Sequence, residues 1–161
     1  MENIHDNKIS GIGNAVCETV LPAVSLQPLK EIERSIQKKY RNELWSPFIR
    51  ALKEFELVEE GDKIAIAISG GKDSLLLSKL FQELKRASKT NFELVFISMN
   101  PGFNDINLQN LKKNLDYLEI PCEIYNDNIF EIAEQIAKDY PCYMCAKMRR
   151  GSLYTKATSL G

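Results

Sequence analysis

At 161 residues, 44% hydrophobic and 27% charged, the chain has the size and composition of one soluble globular domain, long enough to bury a core without metal or disulfide staples. A formal net charge of −1 excludes a global cationic field, so any nucleic-acid contact must come from local basic patches. No apolar run is long enough to span a bilayer, and the N-terminus MENIHDNKISGIGNAV lacks a basic head before an apolar core; neither a membrane span nor a signal peptide is expected, and the expected location is cytoplasmic.

Residues 1–28 read as a loop-like extension, with Gly11, Gly13, Pro22 and Pro28 and no sustained period. From Leu29 the spacing turns helical: Leu29, Ile32, Ile36 and Tyr40 make one stripe. Ser46-Pro47 starts a second helix, since proline suits the first helical position, and Phe48, Ile49, Leu52 and Phe55 are expected to face inward. Residues 29–60 thus form a helical arm. Between Lys30 and Arg50, six bases (Lys30, Arg34, Lys38, Lys39, Arg41, Arg50) stand against three acids (Glu31, Glu33, Glu43). Glu59-Glu60-Gly61-Asp62 reads as a turn.

Lys63–Ser69 is a strand with isoleucines at 64, 66 and 68 on one face and alanines at 65 and 67 on the other, the mark of a parallel strand buried on both sides. Ser74–Arg86 is helical, with Leu76, Leu77, Leu80, Phe81 and Leu84 toward the sheet. Phe92–Met99 is a second buried strand, Asn104–Leu118 a helix, and Pro121–Asn126 a shorter strand nearer an edge. Asn128, with Glu131 three residues on, starts a further helix as in a capping box, and Ala146–Leu160 is the last, with Gly161 at its end. Strands alternating with helices predict an α/β fold: a three-layer, Rossmann-like parallel sheet with right-handed crossovers, behind a helical N-terminal arm. Ligands in such sheets sit beyond the carboxyl ends of the strands.

The segment Ser69-Gly70-Gly71-Lys72-Asp73-Ser74 lies at that end of the first strand. It is not a Walker A loop, which needs a glycine at 66 and a Ser or Thr at 73, where Ile66 and Asp73 stand. Nor does a glycine doublet make the spaced dinucleotide fingerprint. It still suits phosphate. Gly70 and Gly71 let backbone approach a ligand, the following helix offers N–H groups and a favourable dipole, Ser69 and Ser74 offer hydroxyls, and Lys72 a cation. Asp73 beside phosphate makes sense as a Mg²⁺ partner or a helix cap. A plain tight turn is the rival reading of such a junction.

SGGKDS in this context resembles the SGGxDS pyrophosphate loop of the PP-loop ATPases, whose fold is of the adenine nucleotide alpha hydrolase-like kind. The resemblance implies that Ser69–Ser74 bind ATP phosphates, that Lys72 and Asp73 serve catalysis, that backbone near Met99 meets adenine, and that AMP and pyrophosphate are the products. It makes residues 61–161 a PP-loop nucleotide-binding domain.

Cys142-Tyr-Met-Cys145 is a CxxC pair just before the last predicted helix. Two thiolates at this spacing can chelate one metal, and Lys147, Arg149 and Arg150 nearby favour the thiolate form. A redox pair is the alternative. Two ligands do not complete a zinc or iron–sulfur site, and Cys17 and Cys122 have no spacing that recommends them over ordinary packed cysteines. CYMC followed by MRRG, with EFELVEEGDKIAIAISGGKDSLLL and MNPGF, resembles the tRNA 2-thiocytidine synthetase group over Leu26–Gly161. That resemblance implies an ATP-dependent sulfurtransferase that adenylates C2 of an anticodon-loop cytidine in tRNA and replaces its oxygen with sulfur. It implies ATP and Mg²⁺, a sulfur donor of persulfide or sulfide type, and Cys142 and Cys145 as ligands of an iron–sulfur cluster, 4Fe–4S in kind. It leaves room for a homodimer. The group carries a third cluster cysteine and a GHHxDD segment beyond the CxxC helix, and this chain has His5 as its one histidine. The expectation is the N-terminal part of a longer enzyme. A lysidine-type ligase and a nucleotide- or metal-binding fragment without turnover are the alternatives. Lys138, Lys147, Arg149, Arg150 and Lys156 around the cysteines, and Tyr143 and Trp45, suit RNA phosphates and bases, or else are the wet faces and packing of ordinary helices.

Overall fold

The computed structural model describes residues 26–136 and 141–161. The arm comprises α1 (Leu29–Gln37), a π-helical turn (Arg41–Trp45) and α2 (Ser46–Glu54). Then follow β1 (Lys63–Ala67), α3 (Lys72–Ala87), β2 (Glu93–Asn100), α4 (Asp105–Tyr117), β3 (Cys122–Asn126), α5 (Ile129–Ile136) and α6 (Pro141–Ser159). The three strands pair in parallel in the order β1-β2-β3, with Ile66 opposite Phe96 and Phe96 opposite Cys122. The predicted α/β parallel architecture is the one observed.

Both crossovers, through α3 and α4, lie on one face, as right-handed connections in one direction require. The core forms there: Ile66, Ile68 and Phe96 from the sheet meet Phe81, Leu111 and Leu115 from the helices. The arm packs outside α3, with the Phe48 ring edge-on to Phe81 at 5.3 Å. α6 crosses the other face antiparallel to the strands. Its Ser152 donates to Asp127 just past β3 (2.6 Å), Lys156 reaches Glu123 at the start of β3 (2.6 Å), and Lys63 at the start of β1 reaches the Leu160 carbonyl.

Several local expectations are corrected. The second face of β1 is not covered: Ala65 and Ala67 are exposed, whereas Ile97 on β2 is buried, and α6 lies along β3 and reaches β1 only at Lys63. Leu77, expected toward the sheet, is 40% exposed, while Leu75, one position off the predicted stripe, packs on the core. Tyr40 is exposed because α1 stops at Gln37 and the π turn swings it out of line. Phe55 falls beyond the end of α2 and is likewise exposed. The last helix begins at Pro141, not Ala146, so the cysteine pair sits within its first turns. Asn128 directly precedes α5 and its carbonyl accepts from Ile132 N–H.

Candidate functional site

Where β1 ends, Ile68 N–H still bonds the Ile97 carbonyl at 2.8 Å, and then the chain leaves the sheet. Gly70 takes φ +84°, a left-handed conformation that costs a side-chain-bearing residue about 1–2 kcal/mol. A Cβ there would lie 3.3 Å from Leu111 Cδ1, so Gly70 is required twice, by its backbone and by its close approach to α4. Gly71 is different. Its φ is −75°, and an added Cβ would meet only Ser69 Oγ at 3.5 Å, an ordinary contact.

The two serines tie the loop into one unit. Ser74 Oγ donates to the Gly71 carbonyl (2.9 Å) and accepts from Ser69 N–H (3.2 Å). Ser69 Oγ accepts from Gly71 N–H (3.3 Å) and lies 3.2 Å from Ser74 Oγ. Since Ser74 has spent its one proton on Gly71, Ser69 is the donor in that last contact. The N–H groups of Lys72, Asp73 and Ser74 then have no hydrogen-bond partner among the described residues, and no side chain caps the helix. Three unspent donors and the positive end of the 16-residue α3 come together at one exposed helix head, an arrangement that favours an anion. Asp73 does not cap α3; its carboxylate lies 2.9 Å from Lys72 Nζ, both side chains about nine-tenths exposed. An exposed pair of this kind contributes little stability, so both groups are free to turn to a ligand.

At the adjacent end of β2, Ser98 is fully buried and its hydroxyl donates to the Ile68 carbonyl (2.7 Å), closing the ladder where β1 departs. Strand parity turns the backbone of Met99 the same way as that of Ile97, toward β1, which is no longer there. Asn100 then accepts from Gly102 and Phe103 N–H, and Gly102 takes φ +113°, forming the strand-exit turn. The strand-exit turn is legible in the Asn-Pro-Gly string, whereas the Ser98 bond to the Ile68 carbonyl has no local sequence signal.

The cysteine pair is at the same end of the sheet. Cys145 stands seven positions before Ser152, which is level with the end of β3, so at ~1.5 Å per residue Cys145 lies about 10 Å up the helix from that level. Spacing of i, i+3 puts Cys142, exposed, and Cys145, half-buried, on neighbouring positions of one helix face. Among the described residues no third His, Cys, Asp or Glu joins them. Cys122 is at the opposite, amino end of β3, and burial, with the Glu123 charge, pushes its thiol up to about 11. It is a packed cysteine and no ligand for the pair. Cys17, Lys138 and Asp139 lie outside the described residues. Lys147, Arg149, Arg150 and Tyr143 are exposed near the pair, whereas Lys156 is committed to Glu123 and the Tyr125 ring.

The free N–H groups at the head of α3 have the chemistry to accept phosphate oxygens, and the exposed Asp73 carboxylate that to accept a hard cation. The pair supplies two of the ligands a cluster needs, and the described residues do not complete the set.

No protein-family model matches the chain. Curated relatives do match. The tRNA-cytidine(32) 2-sulfurtransferase of Yersinia pseudotuberculosis is 33% identical over 132 residues, 78% of this chain and 40% of that protein. By sequence, the chain is similar to the tRNA-cytidine(32) 2-sulfurtransferases. Those of Pelobacter propionicus and Polaromonas naphthalenivorans are 34% and 32% identical over 114 and 149 residues, covering 70% and 89% of this chain and 42% and 46% of theirs. The chain therefore spans about two-fifths of the length of these relatives. The resemblance read from SGGKDS and CYMC is borne out, and the parallel sheet agrees with it. Among the described residues no helix is long and apolar enough to cross a membrane.

Proposed function

We propose that the chain carries the ATP-binding unit of an ATP-dependent tRNA-cytidine sulfurtransferase. The observation that supports this most is the exposed head of α3, with three free N–H donors behind an obligatory Gly70, in a chain similar to enzymes of that name. In this reading the free N–H groups of Lys72, Asp73 and Ser74 hold the phosphates, and the hydroxyls of Ser69 and Ser74 exchange their bonds within the loop for bonds to the ligand. Gly71 admits them without obstruction. Lys72 offsets the charge that builds as pyrophosphate leaves, and Asp73 positions Mg²⁺. The Met99 backbone receives adenine. The adenylated atom is the C2 oxygen of a tRNA cytidine, and the catalytic gain is electrostatic: fixed donors meet charge on the leaving group without reorganising. Cys142 and Cys145 supply two ligands of an iron–sulfur cluster, which when complete would carry the sulfur chemistry.

The incomplete ligand set favours a second reading, in which this chain binds nucleotide and contributes two thiolates without turnover. One experiment separates the two. The chain is reconstituted anaerobically with iron and sulfide, then given ATP, Mg²⁺ and a tRNA transcript; pyrophosphate and thiolated cytidine are quantified by mass spectrometry. The first reading expects both products. ATP binding by calorimetry without pyrophosphate release establishes the second, and absence of ATP binding overturns both.

A further inference from the structure

The arm carries a basic groove that the nucleotide site does not use. Arg41, Trp45, Ser46, Ile49, Arg50, Lys53 and Glu54 line a groove of about 510 Å³ between the π turn and α2. Arg41, Arg50 and Lys53 are exposed and have no ion-pair partner among the described residues. Trp45 is half-buried. One side of its ring rests 6.0 Å from Phe48, which is seated on Phe81, so the indole is anchored to the core while it lines the groove. The π turn produces this placement: Trp45 N–H bonds the Tyr40 carbonyl, and Ser46 N–H that of Arg41, each five residues back, which rotates the indole off the α2 stripe. Such turns often mark functional positions.

The stretch from Lys30 to Arg50 is also more cationic than its composition states. Glu33, one of the three acids between Lys30 and Arg50, is taken inward by Lys79 (2.6 Å) and Arg86 (3.0 Å), so Glu31 and Glu43 oppose the six bases of that stretch, and Glu54 is the one acid lining the groove beside Arg41, Arg50 and Lys53. Three free cations around a fixed aromatic face suit a chain of phosphates with bases to stack. Ile49 and Lys53 also line a hollow with Leu84 and Ser88 at the far end of α3, roughly 20 Å from the loop at its head. A mononucleotide cannot reach both, and a folded RNA can.

We propose that this groove binds the sugar-phosphate backbone of the RNA substrate at a distance from the reacting base, with Arg41, Arg50 and Lys53 on phosphates and Trp45 stacked on a base. The inference rests on the tRNA reading for its partner. Trp45 is the one tryptophan of the chain, so its fluorescence reports the groove directly. Titration of the full chain with a tRNA transcript should quench it, and titration with ATP should not. The variant R41Q/R50Q/K53Q should bind the transcript at least about tenfold more weakly and lower the salt slope of log Kd by about 2–3, with ATP affinity and Tm unchanged. K53Q alone, lowering the slope by about 1, serves if the triple variant does not fold. Transcript binding with an unchanged slope in these variants overturns the groove and leaves the tRNA reading standing; no transcript binding by the unaltered chain overturns both. Polyglutamate that quenches Trp45 and competes on equal terms would make the occupant an acidic protein and overturn the RNA proposal.

Discussion

Helix α3 carries two polar clusters that are opposites. At its head, the loop at 69–74 is exposed and leaves three backbone donors unspent. Two turns along, Lys79 is 2% exposed, and every charge has a partner: Lys79 donates to Glu33 and to the Leu118 carbonyl, Arg86 bridges Glu33 and Glu83, and Gln37 donates to Glu83. Unsatisfied polar groups are retained where a ligand is to satisfy them. Satisfied ones hold elements together, here the arm to the domain. The two clusters should therefore respond oppositely to substitution, one in binding and the other in stability.

The largest effect is expected at the buried cluster. Glu33→Ala leaves Lys79 buried without its carboxylate, which costs about 3–5 kcal/mol, or on the order of a 10 °C fall in Tm, with ATP affinity of the remaining folded protein unchanged. Lys79→Met removes the buried cation and leaves Glu33 with Arg86, so its loss should be smaller. Acid should mimic the first change. Burial alone would raise the Glu33 carboxyl, but hydrogen bonds and charge from Lys79 and Arg86 outweigh it and hold it below its ordinary 4.5. A carboxyl depressed by folding stabilises fully above its unfolded value. That contribution disappears as pH falls through the lower folded value. Denaturant midpoints should thus drop below about pH 4.5, and the drop should be smaller in Glu33→Gln.

Next in size is Gly70→Val. The left-handed φ and the 3.3 Å approach to Leu111 both oppose a side chain. The loop must shift, and ATP affinity by calorimetry should fall at least about tenfold. Gly71→Ala is the control, since its backbone is ordinary and its Cβ position unobstructed; it should retain binding within about threefold. Equal losses in the two would mean that the loop's shape is not what binds.

A smaller effect should follow Ser74→Ala, which removes the acceptor of Ser69 N–H and the donor to Gly71. About 1 kcal/mol is expected, read chiefly as weakened nucleotide binding because the site is exposed. A loss confined to Tm would place Ser74 with the structural cluster.

The same contrast explains what could be read in advance. The strands, α3, α4 and the loop were legible because their signals are local: Ile64-Ala-Ile-Ala-Ile-Ser-Gly-Gly carries strand, exit and helix head in one run. The Lys79–Glu33 pair was not, since its members are 46 residues apart and each reads as a wet helix face. Open alanines on β1 and an outward Leu77 were missed for a related reason: which face is covered depends on where α6 lands, a long-range choice that periodicity does not encode. The cysteine pair stands between these cases, legible as CxxC yet without further ligands among the described residues, because ligands come from the fold and not from the motif.

The cysteines allow the mildest test, one that disturbs neither fold nor binding. Cys122 is held at about 11 by burial and the Glu123 charge, so at pH 8 roughly a thousandth of it is thiolate. Its alkylation by iodoacetamide, followed by peptide mass spectrometry under native conditions, should be slow and rise about tenfold per pH unit from 7 to 10. Exposed Cys142 should be labelled first, and ferrous iron with sulfide should protect Cys142 and Cys145 while leaving Cys122 unaffected. Protection of Cys122 instead would bring the amino end of β3 into the metal chemistry and break the division between packed and functional sulfur. Fast labelling of Cys122 at neutral pH would mean that the sheet opens there, and the packing of β3 against α4 would have to be looser than Leu115 and Ile120, both buried beside it, allow.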